Sequence, residues 1–183
     1  FVPPQEDSQA SLHRVLFSSD DGFIYCLDAI SGELIWSQNV SGSDRRVVGN
    51  GRIISEFPSR TGVLVIGGRV FLGVGLYPQQ GCFLAAYQVE DGSLVWKKNV
   101  DDSLQGYLLA GEEQIIAPTG RGNPVAFRIA DGELMHRYSG VGGTYAVLTD
   151  EELVAGTGND GSMAVSDQNT SQRLAQFAGS HLV

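Results

Sequence analysis

Five of the ten arginines in this acidic chain, Arg45, Arg46, Arg52, Arg60 and Arg121, fall in polar loops between apolar runs, against a net charge of −9. A guanidinium presents a rigid planar fork that matches a carboxylate or phosphate through two parallel hydrogen bonds. These residues are therefore candidate contacts for a carboxylate, a phosphate or an acidic protein segment. They could equally tie loops to neighbouring carboxylates or carbonyls within the chain, and spacing alone does not choose. Asn159 and Asp160, in Thr157-Gly158-Asn159-Asp160-Gly161, offer oxygen ligands of the kind Ca²⁺ takes, or they form a polar turn between strands. No nucleophile, base and orienting group can be assembled from spacing, so no catalytic residue is assigned. The glycine-rich stretches 73–75 and 140–143 are followed by no helical pattern and do not read as phosphate cradles.

These loops belong to a repeat. Cys26-Leu27-Asp28-Ala29-Ile30-Ser31-Gly32-Glu33-Leu34-Ile35-Trp36 recurs as Ala86 to Trp96, more loosely as Ala126 to His136, and faintly as Val165 to Ala175. The third residues of the copies are Asp28, Gln88, Arg128 and Asp167, so the steps are 60, 40 and 39 residues. A period near 40 built of short strands means stacked sheet units. Each copy reads as a hairpin. An apolar run such as Phe23-Ile24-Tyr25-Cys26-Leu27 suits a strand covered on both faces. A short turn follows, with Gly32, Gly92 or Gly132 where positive φ is needed. A second strand then carries Leu34 and Trp36, Leu94 and Trp96, or Leu134 and His136.

A lone hairpin is marginal in water, so neighbouring units must cover it. Two further strands precede each later hairpin: 62–66 and 70–76, then 107–110 and 115–118, then 145–149 and 153–156. Polar turns join them at Gly67-Gly68, Gly111-Glu112-Glu113 and Asp150-Glu151-Glu152. The unit is a four-stranded antiparallel meander, the blade of an all-β propeller. The chain reads as a single partial propeller domain, with blades at roughly 12–40, 62–100, 106–139 and 144–178 and an inserted loop at 41–61.

The first copy resembles the blade motif of the quinoprotein-dehydrogenase-like (PQQ-like) β-propeller family, whose docking pattern is Ala-x-Asp-x-x-x-Gly-x-x-x-Trp. It departs only by Cys26 for Ala. The second copy has Gln88 for Asp; the third has Arg128 for Asp and His136 for Trp; the fourth keeps Asp167. The resemblance implies docking roles for Asp28, Gly32, Trp36, Gly92, Trp96, Gly132, His136 and Asp167, with each Trp set between adjacent blades. The family closes with seven or eight blades. The first unit here has three strands, 180–183 reads as the start of another, and the count is fifteen strands and a stub. The chain is then a segment of a longer propeller, or the stub closes a four-bladed ring.

Three functions compete, the first resting on the decay of the motif and the unassigned catalytic residues. One is a non-catalytic scaffold binding a protein or ligand, its partners a second protein or the remaining blades. Another is a segment of a dehydrogenase using pyrroloquinoline quinone (PQQ) and Ca²⁺, to which Arg60 or Arg121 and Asn159 or Asp160 would contribute. The last is a sugar-binding or accessory domain of a larger enzyme. No cofactor is assigned from the residues themselves. The adjacent Cys-Cys pair of many PQQ alcohol dehydrogenases does not occur, nor does Cys-x-x-Cys-His, so this segment attaches no c-type haem. Cys26, in the small-residue slot of the motif, reads as a buried free thiol. The resemblance points to a periplasmic or exported protein.

Charge is also distributed. In such a meander the five loop arginines share one rim, while Glu90, Asp91, Glu112, Glu113, Asp131 and 150–152 share the other. The acidic balance argues against nonspecific nucleic-acid binding. No run of 18 apolar residues reads as a membrane span. The 41–61 insertion accounts for the long first step, and so long a loop in a repeat array is functional or disordered. Ile53, Ile54, Phe57 and Pro58 give it apolar anchors, so it is expected to be packed, over the mouth of the axial channel.

Overall fold

The computed structural model describes residues 13–49, 51–139, 143–156 and 161–178. All regular structure among them is β. The strands are β1 (Arg14–Ser18), β2 (Phe23–Asp28), β3 (Leu34–Asn39), β4 (Arg46–Gly49), β5 (Arg52–Ser55), β6 (Leu64–Ile66), β7 (Arg69–Val74), β8 (Cys82–Gln88) and β9 (Leu94–Val100). They continue as β10 (Leu109–Ala110), β11 (Gln114–Ala117), β12 (Val125–Arg128), β13 (Leu134–Arg137), β14 (Tyr145–Leu148), β15 (Glu152–Gly156), β16 (Ser162–Asp167) and β17 (Arg173–Ala178). They form a three-stranded sheet β1-β2-β3, three four-stranded sheets β6-β7-β8-β9, β10-β11-β12-β13 and β14-β15-β16-β17, and a separate hairpin β4-β5. Every pairing within the sheets is antiparallel. These are the propeller-like blades that the repeat predicts. The expected stub at 180–183 lies outside the described residues.

The core lies between the blades. Ile24, Cys26 and Trp36 of the first sheet pack with Val70, Leu72, Ala85 and Tyr87 of the second. Phe71, Leu84, Ala86 and Trp96 pack with Ile115, Ala117, Val125 and Phe127 of the third. Ile116, Ala126 and Tyr138 pack with Leu153 and Ala155 of the fourth. Strand β7 shows how one sequence serves two interfaces. Its side chains alternate across the sheet, so Val70 and Leu72 face one neighbour and Phe71 the other.

The first blade departs from the expectation of a strand covered on both faces. In β2 only Ile24 and Cys26 are fully buried, while Phe23, Tyr25 and Leu27 are half-buried. Among the described residues no sheet covers that second face. Phe17, Tyr25 and Phe23 instead stack on one another, with ring centroids 5.1 and 5.9 Å apart. Inside the insertion the expected loop contains the hairpin β4-β5, with Val47 opposite Ile54 and Val48 opposite Ile53.

Candidate functional site

The repeat builds the same turn four times. In each copy the motif's third residue closes the hairpin with two backbone bonds. Asp28 N–H donates to Glu33 O and Gly32 N–H to Asp28 O, and the Gln88, Arg128 and Asp167 copies repeat both. A register shift falls at the same place in every copy, after Cys26, Ala86, Ala126 and Val165. Gly32, Gly92 and Gly132 hold φ of 74°, 72° and 74°, the left-handed region that favours glycine. The fourth copy puts Ser171 there at φ 59°. Asp28 and Asp167 each accept two backbone N–H groups of their own turn. Bonds from Ser31 and Ile30 hold the Asp28 carboxyl below the usual range, and those from Thr170 do the same for Asp167.

The turns are also docking slots for the preceding blade. Trp36 donates its indole N–H to Val89 O at 3.0 Å, and Trp96 donates to Ile129 O at 3.1 Å. Each ring lies flat against the following turn. A Cβ on Gly92 would sit 2.6 Å from Trp36 Cδ2, and one on Gly132 would sit 2.6 Å from Trp96 Cζ3. Glycine is required twice over there, for φ and for space. The equivalent acceptor in the fourth blade is Gln168 O, but His136 does not bond it. Tyr138 Oη donates to Gln168 O at 2.6 Å, and Gln114 Nε2 donates to the same oxygen at 2.7 Å. The His136 ring meets Tyr138 edge-on at 5.0 Å, and its Nε2 is buried with no hydrogen-bond partner. Burial pushes the His136 pKa down, against the Gln168 carbonyl and the Asp167 carboxylate.

The five loop arginines separate. Arg45 pairs with the buried Glu56 at 3.2 Å, and Arg52 with Asp20 at 2.8 Å. Both fasten the insertion, Arg52 to the first blade. Arg46 is exposed on β4, and Arg121 is exposed in the β11–β12 loop. Arg60 stands apart. No ion pair holds it among the described residues, and its Nε is buried with no hydrogen-bond partner. Asn159 and Asp160 lie outside the described residues.

The insertion crosses the junction of the first two blades. Lys97 Nζ of β9 donates to Val40 O, Ser55 N–H donates to Asp20 O, and Phe57 packs on Phe83. The hairpin faces inward through Ile54, which is 5% exposed. It faces outward through Val48 and Ile53, 82% and 71% exposed and directly opposite each other. Beyond it, residues 59–62, 106–107 and 144–145 line a cleft of about 410 Å³ where the lead-in segments of three blades converge. Gly106 N–H donates to Arg60 O, joining two of these segments. Among the described residues the cleft lining contains no carboxylate or carboxamide, the oxygen donors that Ca²⁺ prefers. Among the described residues no group of three His, Cys, Asp or Glu could hold a metal.

The family model described as outer membrane protein assembly factor BamB matches residues 20–178. The chain belongs to this family. Among solved structures, BamB from Moraxella catarrhalis superposes with a TM-score of 0.65 at 18% identity, over 95% of this chain and 46% of that one. The quinohemoprotein alcohol dehydrogenase ADHIIG from Pseudomonas putida HK5 gives 0.67 at 14% identity, over 91% and 33%. The computationally designed Ika8 protein gives 0.68 at 16% identity, over 93% and 48%. This chain thus spans about half or less of each. No curated protein matches it by sequence. At such identities the superpositions show a shared fold, not an activity.

In this BamB-family chain the sequence left three features unread. The hairpin β4-β5 was signalled by Asn50-Gly51 between Val47-Val48 and Ile53-Ile54, a strong short-range hairpin pattern. Tyr107 and Tyr145 of the cleft were signalled by their recurrence at the start of successive blades. The Gln114–Tyr138–Gln168 cluster had a weaker signal, the loss of Trp at His136, which requires some other donor for the turn carbonyl.

Proposed function

We propose that the chain is a non-catalytic propeller module whose inserted hairpin docks an extended, acidic–apolar segment of a protein partner. The observation that carries this reading is the outward face of β4-β5. Val48 and Ile53 form an exposed cross-strand pair beside the exposed Arg46, in a chain whose net charge is −9. Apolar surface of that kind marks an interaction site when it is contiguous. A two-stranded hairpin also leaves strand edges to which an extended segment can add. Arg46 and the exposed flank of Arg52 favour carboxylates in that segment, and the acidic remainder of the surface disfavours their binding elsewhere. The family's description as an outer-membrane assembly factor supports both a protein partner and an exported or periplasmic location. No helix among the described residues is long and apolar enough to cross a membrane.

The test uses a labelled peptide alternating Leu with Glu, followed by fluorescence anisotropy. Saturable binding is expected, abolished by Val48→Lys with Ile53→Lys and made less salt-dependent by Arg46→Gln. Absence of binding, or equal binding by the variants, contradicts the reading. A second reading, a segment of a quinone-dependent dehydrogenase, draws on the superposition with the alcohol dehydrogenase. Titration of PQQ with Ca²⁺, read by absorbance and quinone fluorescence, separates the two. Micromolar binding with alcohol-driven dye reduction would overturn the non-catalytic assignment.

A further inference from the structure

We infer that the cleft between the lead-in segments is a binding site for a carboxylate-bearing sugar, a hexuronate ring, independent of the hairpin surface. Its volume of about 410 Å³ lies in the range of small-ligand pockets. Its polar groups divide into two sets. Ser59 Oγ donates to Thr61 O and Gly73 O, and Thr61 Oγ1 accepts from Gly73 N–H, so both hydroxyls are engaged within the chain. Among the described residues the side chains of Arg60, Tyr107 and Tyr145 have no such internal partner, the Arg60 Nε being buried, and all three line the cleft.

The unengaged set defines a ligand. Among the described lining residues Arg60 alone is charged, and no carboxylate of the described residues neutralises it. A guanidinium with its Nε buried and no counter-charge among the described residues favours one planar carboxylate over a neutral group. Tyr107 and Tyr145 are 68% and 62% exposed, large amphipathic rings standing at a polar cleft. The Tyr107 ring is seated on Gly62, where a Cβ would fall 2.9 Å from Cδ1. A ring braced on one face and bare elsewhere is a platform for a flat partner with an apolar face, and its phenol can bond a hydroxyl. A pyranose ring supplies C–H faces and hydroxyls together, and a hexuronate adds the carboxylate.

The experiment titrates the whole chain with a galacturonate trimer, with glucose oligomers of equal length and with acetate, followed by calorimetry and by tyrosine fluorescence. Binding of the acidic trimer alone is expected. Arg60→Met should weaken it at least about tenfold, with Arg60→Lys recovering part of the loss, since one charge-assisted bond is of that size. Tyr107→Ala, at a mostly exposed position, should weaken it by several-fold with an unchanged thermal midpoint. It keeps the test sound if Arg60→Met fails to fold. Equal binding of the neutral oligomer would overturn the role of Arg60, equal binding of acetate would overturn the sugar platform, and no binding of the trimer would overturn the site.

Discussion

The interfaces on either side of the third blade solve one problem with different chemistry. On one side Trp96 fills the gap and its indole N–H meets the Ile129 carbonyl. On the other the matching carbonyl, Gln168, takes the Tyr138 hydroxyl and the Gln114 amide, while His136 occupies the Trp position without bonding it. The lesson is that the turn carbonyl is the fixed requirement and the donor is exchangeable. A buried backbone acceptor must be satisfied. Trp does this while also supplying the largest apolar side chain. The polar cluster does it with more hydrogen bonds and less apolar area.

The comparison breaks first at the tryptophans. Trp36→Ala and Trp96→Ala should each lower stability by roughly 3–5 kcal/mol in denaturant melts, the usual range for emptying a buried aromatic site. Near-zero change in both would mean that the rings do not hold the blades together. Next in size is a contrast between two glycines of nearly equal φ. Gly32 has nothing within 4 Å of an added Cβ, whereas Gly92 has the Trp36 ring at 2.6 Å. Gly32→Ala should cost about 1 kcal/mol, from backbone strain alone. Gly92→Ala should cost a further ~1–3 kcal/mol from the clash.

Smaller effects sharpen the polar side. Tyr138→Phe removes one of two donors to Gln168 O and should cost roughly 1 kcal/mol, less than either Trp variant. A loss matching Trp96→Ala would show that the hydroxyl carries that interface. The His136 pKa is lowered in the fold, so the unfolded chain takes up this proton more readily. The stability gained from keeping His136 neutral is present above its ordinary pKa of 6.5 and is lost as pH falls below it. Thermal midpoints recorded from pH 7.5 to 5.5 should fall, and His136→Phe should flatten part of that slope.

The sequence made the strong copies legible and the decayed ones only in outline. Trp36, Gly92, Trp96 and Gly132 could be placed because one large ring, one left-handed turn and a fixed spacing define the slot. The propeller-like blades followed from the period. His136 shows why the rest was harder to see. Its replacement donors, Gln114 and Tyr138, lie on β11 and just past β13, so no fixed offset from the motif announces them. Arg45 and Arg52 proved to be ties to Glu56 and Asp20, because charge alone does not reveal which carboxylate a loop will meet. Arg60 differs only through the backbone path that brings three blades together at the cleft.

That each tryptophan docks on the turn of the following blade is tested most directly by a double-mutant cycle on Trp36 and Gly92. With Trp36 present, Gly92→Ala should carry its clash. In the Trp36→Ala background the clash has no partner, and the cost should fall to that of Gly32→Ala. The account predicts a coupling energy of about 1–3 kcal/mol. Additive effects, with the Gly92→Ala cost unchanged by loss of the indole, would contradict it.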